Sequence, residues 1–172
     1  VAVVIAVASG SAHAQSRGDN LRALSSESDL VADKAIALLV AEGPAAFDEI
    51  LLEMKGTSGS GVRERALRAM AGIAPKVSDL DRYADTFVEI LAHSLATLEL
   101  RSVIQILEHG GPRTFALTRD VLAQAESSWA RLNALRVMAA VAPRIGNVEI
   151  SVEPLLDALD PDNPENVALI ER

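Results

Sequence analysis

The sequence predicts an all-α fold: an α-solenoid of stacked antiparallel helix pairs, about 34 residues per pair with a 68-residue superrepeat. Three observations predict it. The first is composition. Of 172 residues, 29 are Ala and 22 are Leu, against three Phe, one Tyr and one Trp. Ala and Leu are strong helix formers, whereas strands favour aromatic and β-branched residues. The second is periodicity. Apolar residues recur at helical spacing, and no stretch after residue 14 sustains the two-residue alternation of a half-buried strand. The third is self-similarity. Residues 66–75 read ALRAMAGIAP and residues 134–143 read ALRVMAAVAP, 68 positions later without a gap. The same offset lays Gly43, Pro44 and Phe47 over Gly111, Pro112 and Phe115, and Phe87, Val88 and Leu91 over Leu155, Leu156 and Leu159. Half that period separates residues 34–40 from 68–74, which share one small/large apolar alternation. About 34 residues is the length of a helix–turn–helix pair.

The chain opens V-A-V-V-I-A-V-A, then Ser9-Gly10-Ser11 and Ala12-His13-Ala14. An apolar run followed by small residues at Ala12 and Ala14 matches a secretory signal peptide over residues 1–14, cleaved after Ala14. Eight apolar residues are too few to span a bilayer, which needs about 20. No basic segment or Met precedes the run, so the sequence is expected to lack the start of that signal. The expected location of the mature chain is secreted or periplasmic. Residues 15–28 read as a polar lead-in with at most a short helix.

Residues 29–172 form the repeat domain. Val62, Ala66, Ala69, Met70 and Ile73 lie at i, i+4, i+7, i+8 and i+11, and Ala84, Phe87, Val88, Leu91 and Leu95 keep a similar rhythm. So do Leu100, Val103, Ile104 and Leu107. Between these runs fall the breakers. Gly43-Pro44 and Gly110-Gly111-Pro112 stop one helix and place Pro in the first turn of the next. Residues 57–61, T-S-G-S-G, form a loop, and Pro75 and Pro143 close their helices at equivalent points. The predicted helices are near 29–42, 44–55, 61–74, 79–94, 96–109, 112–126, 128–142 and 151–160, with another from about 164. The last begins too near Arg172 to complete a pair, so the repeat array is expected to continue past the sequence.

Residues 62–70, V-R-E-R-A-L-R-A-M, resemble the first helix of a HEAT repeat, where a Val-Arg pair precedes a spaced Ala. Residues 156–167, L-D-A-L-D-P-D-N-P-E-N-V, resemble the acidic, Pro-containing passage between two such repeats. Val167 lacks the following Arg, and the positions around Leu30 and Leu100 lack the Val-Arg pair, so an armadillo-like subclass stays open. The resemblance implies an architecture and a mode of action, binding along a curved face, but no chemistry.

Composition excludes much. The net charge is −8, with a pI near 4.9, which disfavours binding to nucleic acid or to an anionic membrane. With no cysteine there is no disulfide, thiolate metal site or Cys nucleophile. No phosphate loop, nucleophile elbow or metal-ligand spacing occurs. His93 and His109 sit near the ends of successive helices and read as partners of the helix dipole. Asp160, Asp162, Asn163 and Glu165 lack the spacing of a calcium loop and read as a turn. Arg63, Arg65, Arg68, Arg131 and Arg136 read as inter-repeat ion pairs or exposed helix positions rather than an anion site. Trp129 is divided between core packing and an interface. No catalytic residue, metal or cofactor is expected, and the chain is not expected to be an enzyme within these residues.

What remains is a scaffold for a protein or peptide partner, bound along the face of the second helices. There Asp81, Asp85 and Glu89, on one helical face, join Arg82 and Tyr83, and Asp48 and Glu49 add to the acidic character. A basic or polar partner is the expectation. The alternative is an accessory repeat domain of a larger exported enzyme whose catalytic domain lies outside this sequence. Nothing in the sequence bears on the oligomeric state.

Overall fold

The computed structural model describes residues 17–57, 59–93, 97–125 and 127–146. Every regular element among them is helical. The proposed signal over residues 1–14 and the helices expected beyond 150 lie outside the described residues. The chain divides into two compact units after Lys76.

In the first unit, α1 covers residues 17–23, followed by α2 (Asp29–Glu42), a 3₁₀ turn (Gly43–Ala46), α3 (Phe47–Gly56), α4 (Ser60–Ile73) and a closing 3₁₀ turn (Ala74–Lys76). Ser28 takes extended backbone and its carbonyl accepts from Ala32 N at 3.1 Å, which starts α2. Gly43 ends α2 at φ 71°, a left-handed value that glycine adopts without the Cβ penalty of other residues. Pro44 then sits in the first turn of the 3₁₀ segment. Buried Ala32, Ala35 and Leu39 face buried Ala66, Ala69, Met70 and Ile73, and α2 packs directly on α4. Small side chains allow this approach. A Cβ on Gly72 would lie 2.7 Å from Val40 Cγ2, so glycine itself sets the spacing there. Phe47, Ile50 and Met54 bury the inner face of α3. Each fully buried Leu, Ile or Phe contributes roughly 2 kcal/mol.

Residues 15–28, read from sequence as a polar lead-in, are built into this unit from residue 17 onward. Leu24 is 0% exposed. Arg17 binds Glu42 at 2.5 Å, Glu49 at 2.7 Å and the Ala45 carbonyl at 3.2 Å.

In the second unit, a 3₁₀ turn (Asp81–Tyr83) leads into α5 (Ala84–His93), then α6 (Thr97–Leu107), α7 (Pro112–Gln124) and α8 (Ser128–Ile145). α7 packs most extensively on α8, and α5 on both α6 and α7. Phe87, Leu91, Leu100, Val103, Leu107, Phe115, Ala134, Val137, Met138 and Val141 form the core. The tight helical hairpins are α3–α4, α5–α6 and α7–α8.

Two expected helix bounds differ: the helix expected from 79 starts at Ala84, after the 3₁₀ turn Asp81–Tyr83, and the second departure is at a proline. Pro75 falls just beyond α4, but Pro143 lies inside α8. In the last turn a proline removes a single backbone hydrogen bond, a local loss that the helix survives. The true stop is Gly146, left-handed at φ 69°. The residue 68 positions earlier is Ser78 and not glycine, and α4 has by then already ended in the 3₁₀ turn Ala74–Lys76.

Candidate functional site

The acidic face expected from sequence is largely engaged within the second unit. Asp81 precedes α5 and reaches the open N-terminus of α7. Its carboxylate accepts from the backbone N–H groups of Gly111 (2.8 Å), Arg113 (3.0 Å) and Thr114 (3.1 Å), and from the Thr114 hydroxyl (2.7 Å). These donors are the ones a helix start leaves without partners. Burial raises the Asp81 pKa, but the Thr114 hydroxyl and the three amides outweigh it and hold the carboxyl below its ordinary value. The local sequence is built to this contact. A Cβ on Gly111 would come within 2.8 Å of Asp81 Oδ2, and one on Gly110 within 2.2 Å of Thr114 Oγ1. Thr118 continues the chain by donating to the Thr114 carbonyl at 2.7 Å.

One turn on, Asp85 accepts a two-pronged contact from Arg113, with N–O distances of 2.7–3.1 Å. Asp81 and Asp85 are thus joined to one helix start. Tyr83 is buried, with the Arg82 guanidinium 4.4 Å above its ring and bonded to its hydroxyl. Arg82 and Glu89 are exposed. The Glu89 carbonyl accepts from His93 Nδ1 at 2.9 Å. Asp48 and Glu49 belong to the first unit, in the opening turn of α3, and Glu49 is paired with Arg17. The structure therefore gathers Asp81, Arg82, Tyr83, Asp85 and Glu89 along one stretch, where Asp81 and Asp85 are tied to α7 and the Arg82 and Glu89 side chains are exposed.

The arginines of α4 act locally. Arg65 donates to the carbonyls of Leu24 (3.0 Å) and Ser26 (2.7 Å) and to Asp29 (2.7 Å), binding the α1–α2 connection to α4. Arg68 pairs with Asp33 at 3.0 Å. In the second unit Arg131 donates to the Ala125 carbonyl at 2.9 Å, and Arg136 pairs with Glu108 at 3.4 Å. His109 is half-buried beside Arg144, whose guanidinium donates to the Glu108 carbonyl. Burial first, then the Arg144 charge, lower the His109 pKa, against an opposite pull from Glu108. Among the described residues no cluster of three His, Asp or Glu side chains is placed to hold a metal. Asp160, Asp162, Asn163 and Glu165 lie outside the described residues. No helix among the described residues is long and apolar enough to cross a membrane.

Two surface features gave no clear signal in the sequence. Large apolar side chains stand exposed at Leu30 (81%), Leu52 (73%), Leu98 and Trp129. Trp129, half exposed in the first turn of α8, is thus not a core residue. The second feature is a cleft of about 400 Å³ in the second unit, between the C-terminal turns of α5 and α7 and the start of α8. Ala92, Val121, Ala125 and Ala130 contribute its apolar lining, and His93, Gln124 and Ser127 its polar lining. Side-chain truncations leave no motif, so only an aligned comparison of the two 68-residue blocks hints at the cleft.

Comparison of the chain with protein-family models, curated proteins and solved structures gives no match. Fold and site define the class at this level: an all-helical protein of packed neighbouring helices.

Proposed function

We propose that the mature chain is an exported, non-enzymatic scaffold, a HEAT-like α-solenoid that binds a protein or peptide partner along the face of α3, α5 and α7. One observation supports the reading: three helix boundaries of the first unit recur 68 residues later in the second. α2 and α6 start at Asp29 and Thr97, α3 and α7 end at Gly56 and Gln124, and α4 and α8 start at Ser60 and Ser128. Burial keeps step, with Ala66, Ala69, Met70 and Ile73 over Ala134, Val137, Met138 and Val141. A stack of such units exposes a broad surface, and binding by complementarity over that surface needs no catalytic group. The remaining exposed acids tune the encounter rate with a basic or polar partner.

A photo-crosslinking amino acid at position 52 or 119, on the exposed sides of α3 and α7, is expected to trap one discrete partner from the organism's exported proteins. Diffuse or absent adducts at both positions overturn the binding role. Export has its own test. Expressed from its full gene, the mature protein is expected to begin at Gln15 by intact mass, and a product retaining residues 1–14 refutes cleavage after Ala14.

A further inference from the structure

The cleft of the second unit has a counterpart in the first that shows what fits it. Ala92 and Ala130 line the cleft. The residues 68 positions earlier are Leu24 and Val62. Leu24 is 0% exposed, and its carbonyl accepts from Arg65 of α4 at 3.0 Å. Leu24 is thereby tied to the first turns of α4 as Ala92 is set against the first turns of α8. At the matching position of the first unit the chain thus carries a fully buried isobutyl group. In the second, alanine replaces both larger side chains and a cleft of about 400 Å³ stands open.

The lining defines the rest of the ligand. Among the described residues, no side chain in the cleft carries a fixed charge, so burying a charged group there has no compensating partner. Aliphatic surface removed from water gains roughly 25 cal/mol per Å². At the edge, His93 Nδ1 donates to the Glu89 carbonyl, which leaves Nε2 as the ring nitrogen open to the ligand. The Gln124 amide and Ser127 hydroxyl both donate and accept. That set matches the N–H and C=O groups of an extended backbone.

We propose that this cleft receives a leucine-type side chain on an uncharged, extended peptide segment of a partner protein, with His93, Gln124 and Ser127 holding the flanking backbone. The site takes in trans the group that Leu24 supplies in cis. It deepens the scaffold reading above and rests on it.

The test uses the full chain, ¹⁵N-labelled, titrated with the capped tripeptide acetyl-Ala-Leu-Ala-amide. The expected result is saturable amide shifts centred on Ala92, Val121, Ala125 and Ala130, in the millimolar range. The peptides with Lys or Asp at the central position are expected to bind at least tenfold more weakly. A92L, which restores the first unit's residue, is expected to abolish the shifts while leaving the melting temperature equal or higher. A130V, a smaller filling, is expected to weaken binding about tenfold and serves if A92L perturbs folding. Shifts scattered over other surfaces, equal binding of the charged peptides, or unchanged binding in a folded A92L or A130V variant each overturn the site. The two readings fail separately. A partner trapped through position 52 with no tripeptide binding refutes the cleft alone, whereas tripeptide binding with no trapped partner refutes the broad scaffold face.

Discussion

The block Gly-Pro-x-x-Phe begins a helix in both units, at Gly43 and at Gly111, and opposite chemistry holds it in each. In the first unit an arginine does the work. Arg17 of α1 binds Glu42, Glu49 and the Ala45 carbonyl. In the second, carboxylates do it. Asp81 caps the amides of α7 and Asp85 grips Arg113. Arg17 and Asp85 occupy equivalent positions with opposite charge, and their ionic partners stand at different places, Glu42 and Glu49 in the first unit and Arg113 in the second. The glycines differ as well: Gly43 is left-handed at φ 71°, while Gly111, at φ −127°, lends its N–H to Asp81. Beneath this difference the apolar positions agree, with Phe47 over Phe115 and Met70 over Met138. The lesson is physical. Packing needs a fixed volume at a fixed place, whereas a tie between helix ends needs only complementary partners, and several combinations supply them.

Substitutions at four positions test this contrast between the units. The largest expected effect is at Leu24. Leu24→Ala gives the first unit the residue of the second, and removing a fully buried leucine costs about 3 kcal/mol, read by urea unfolding. A loss below about 1 kcal/mol denies that Leu24 fills a packed site. Next is the cap. Asp81→Ala leaves three amides and a buried threonine hydroxyl without their acceptor, and about 2 kcal/mol is expected from the same measurement. The carboxyl titrates below its ordinary value of 3.8, so its contribution is complete above that pH and is lost as pH falls through the folded value. Asp81→Asn is expected to remove that acid-limb loss from the stability profile.

The third effect is smaller and has a different pH window. His109 titrates below its ordinary 6.5 in the fold. As pH falls through 6.5 the unfolded chain protonates first. Stability present above that pH therefore declines below it, and levels once the folded imidazole also protonates. His109→Gln is expected to flatten this part of the profile, and an unchanged slope refutes the assignment. The smallest effect is Arg113→Ala. Its pair with Asp85 is more than half exposed, so about 0.5 kcal/mol is expected, vanishing in high salt.

The helices were legible because breakers and apolar rhythm agree. The starts at Ser60 and Pro112 lie within a residue of expectation. The end of α8 was not, since a proline in a last turn reads the same as a proline beyond it, and the decision fell to Gly146. Of the expected binding residues, Asp81, Arg82, Tyr83, Asp85 and Glu89 do share one segment. Their partners were hidden, because Gly111, Arg113 and Thr114 lie about thirty positions away and no local pattern links them. Leu24 was hidden for a similar reason: two leucines, Leu21 and Leu24, in a polar stretch are too short a rhythm to mark a buried face.

The sequence by itself determined the helical class, the punctuation and the 68-residue recurrence, because these depend on local propensity and spacing along the chain. Only the tertiary structure decided which charges are engaged, which helices form hairpins, and where an alanine leaves space that a leucine elsewhere fills. Those depend on distances between residues far apart in the chain, and a carboxylate's role is set by what stands three ångströms from it.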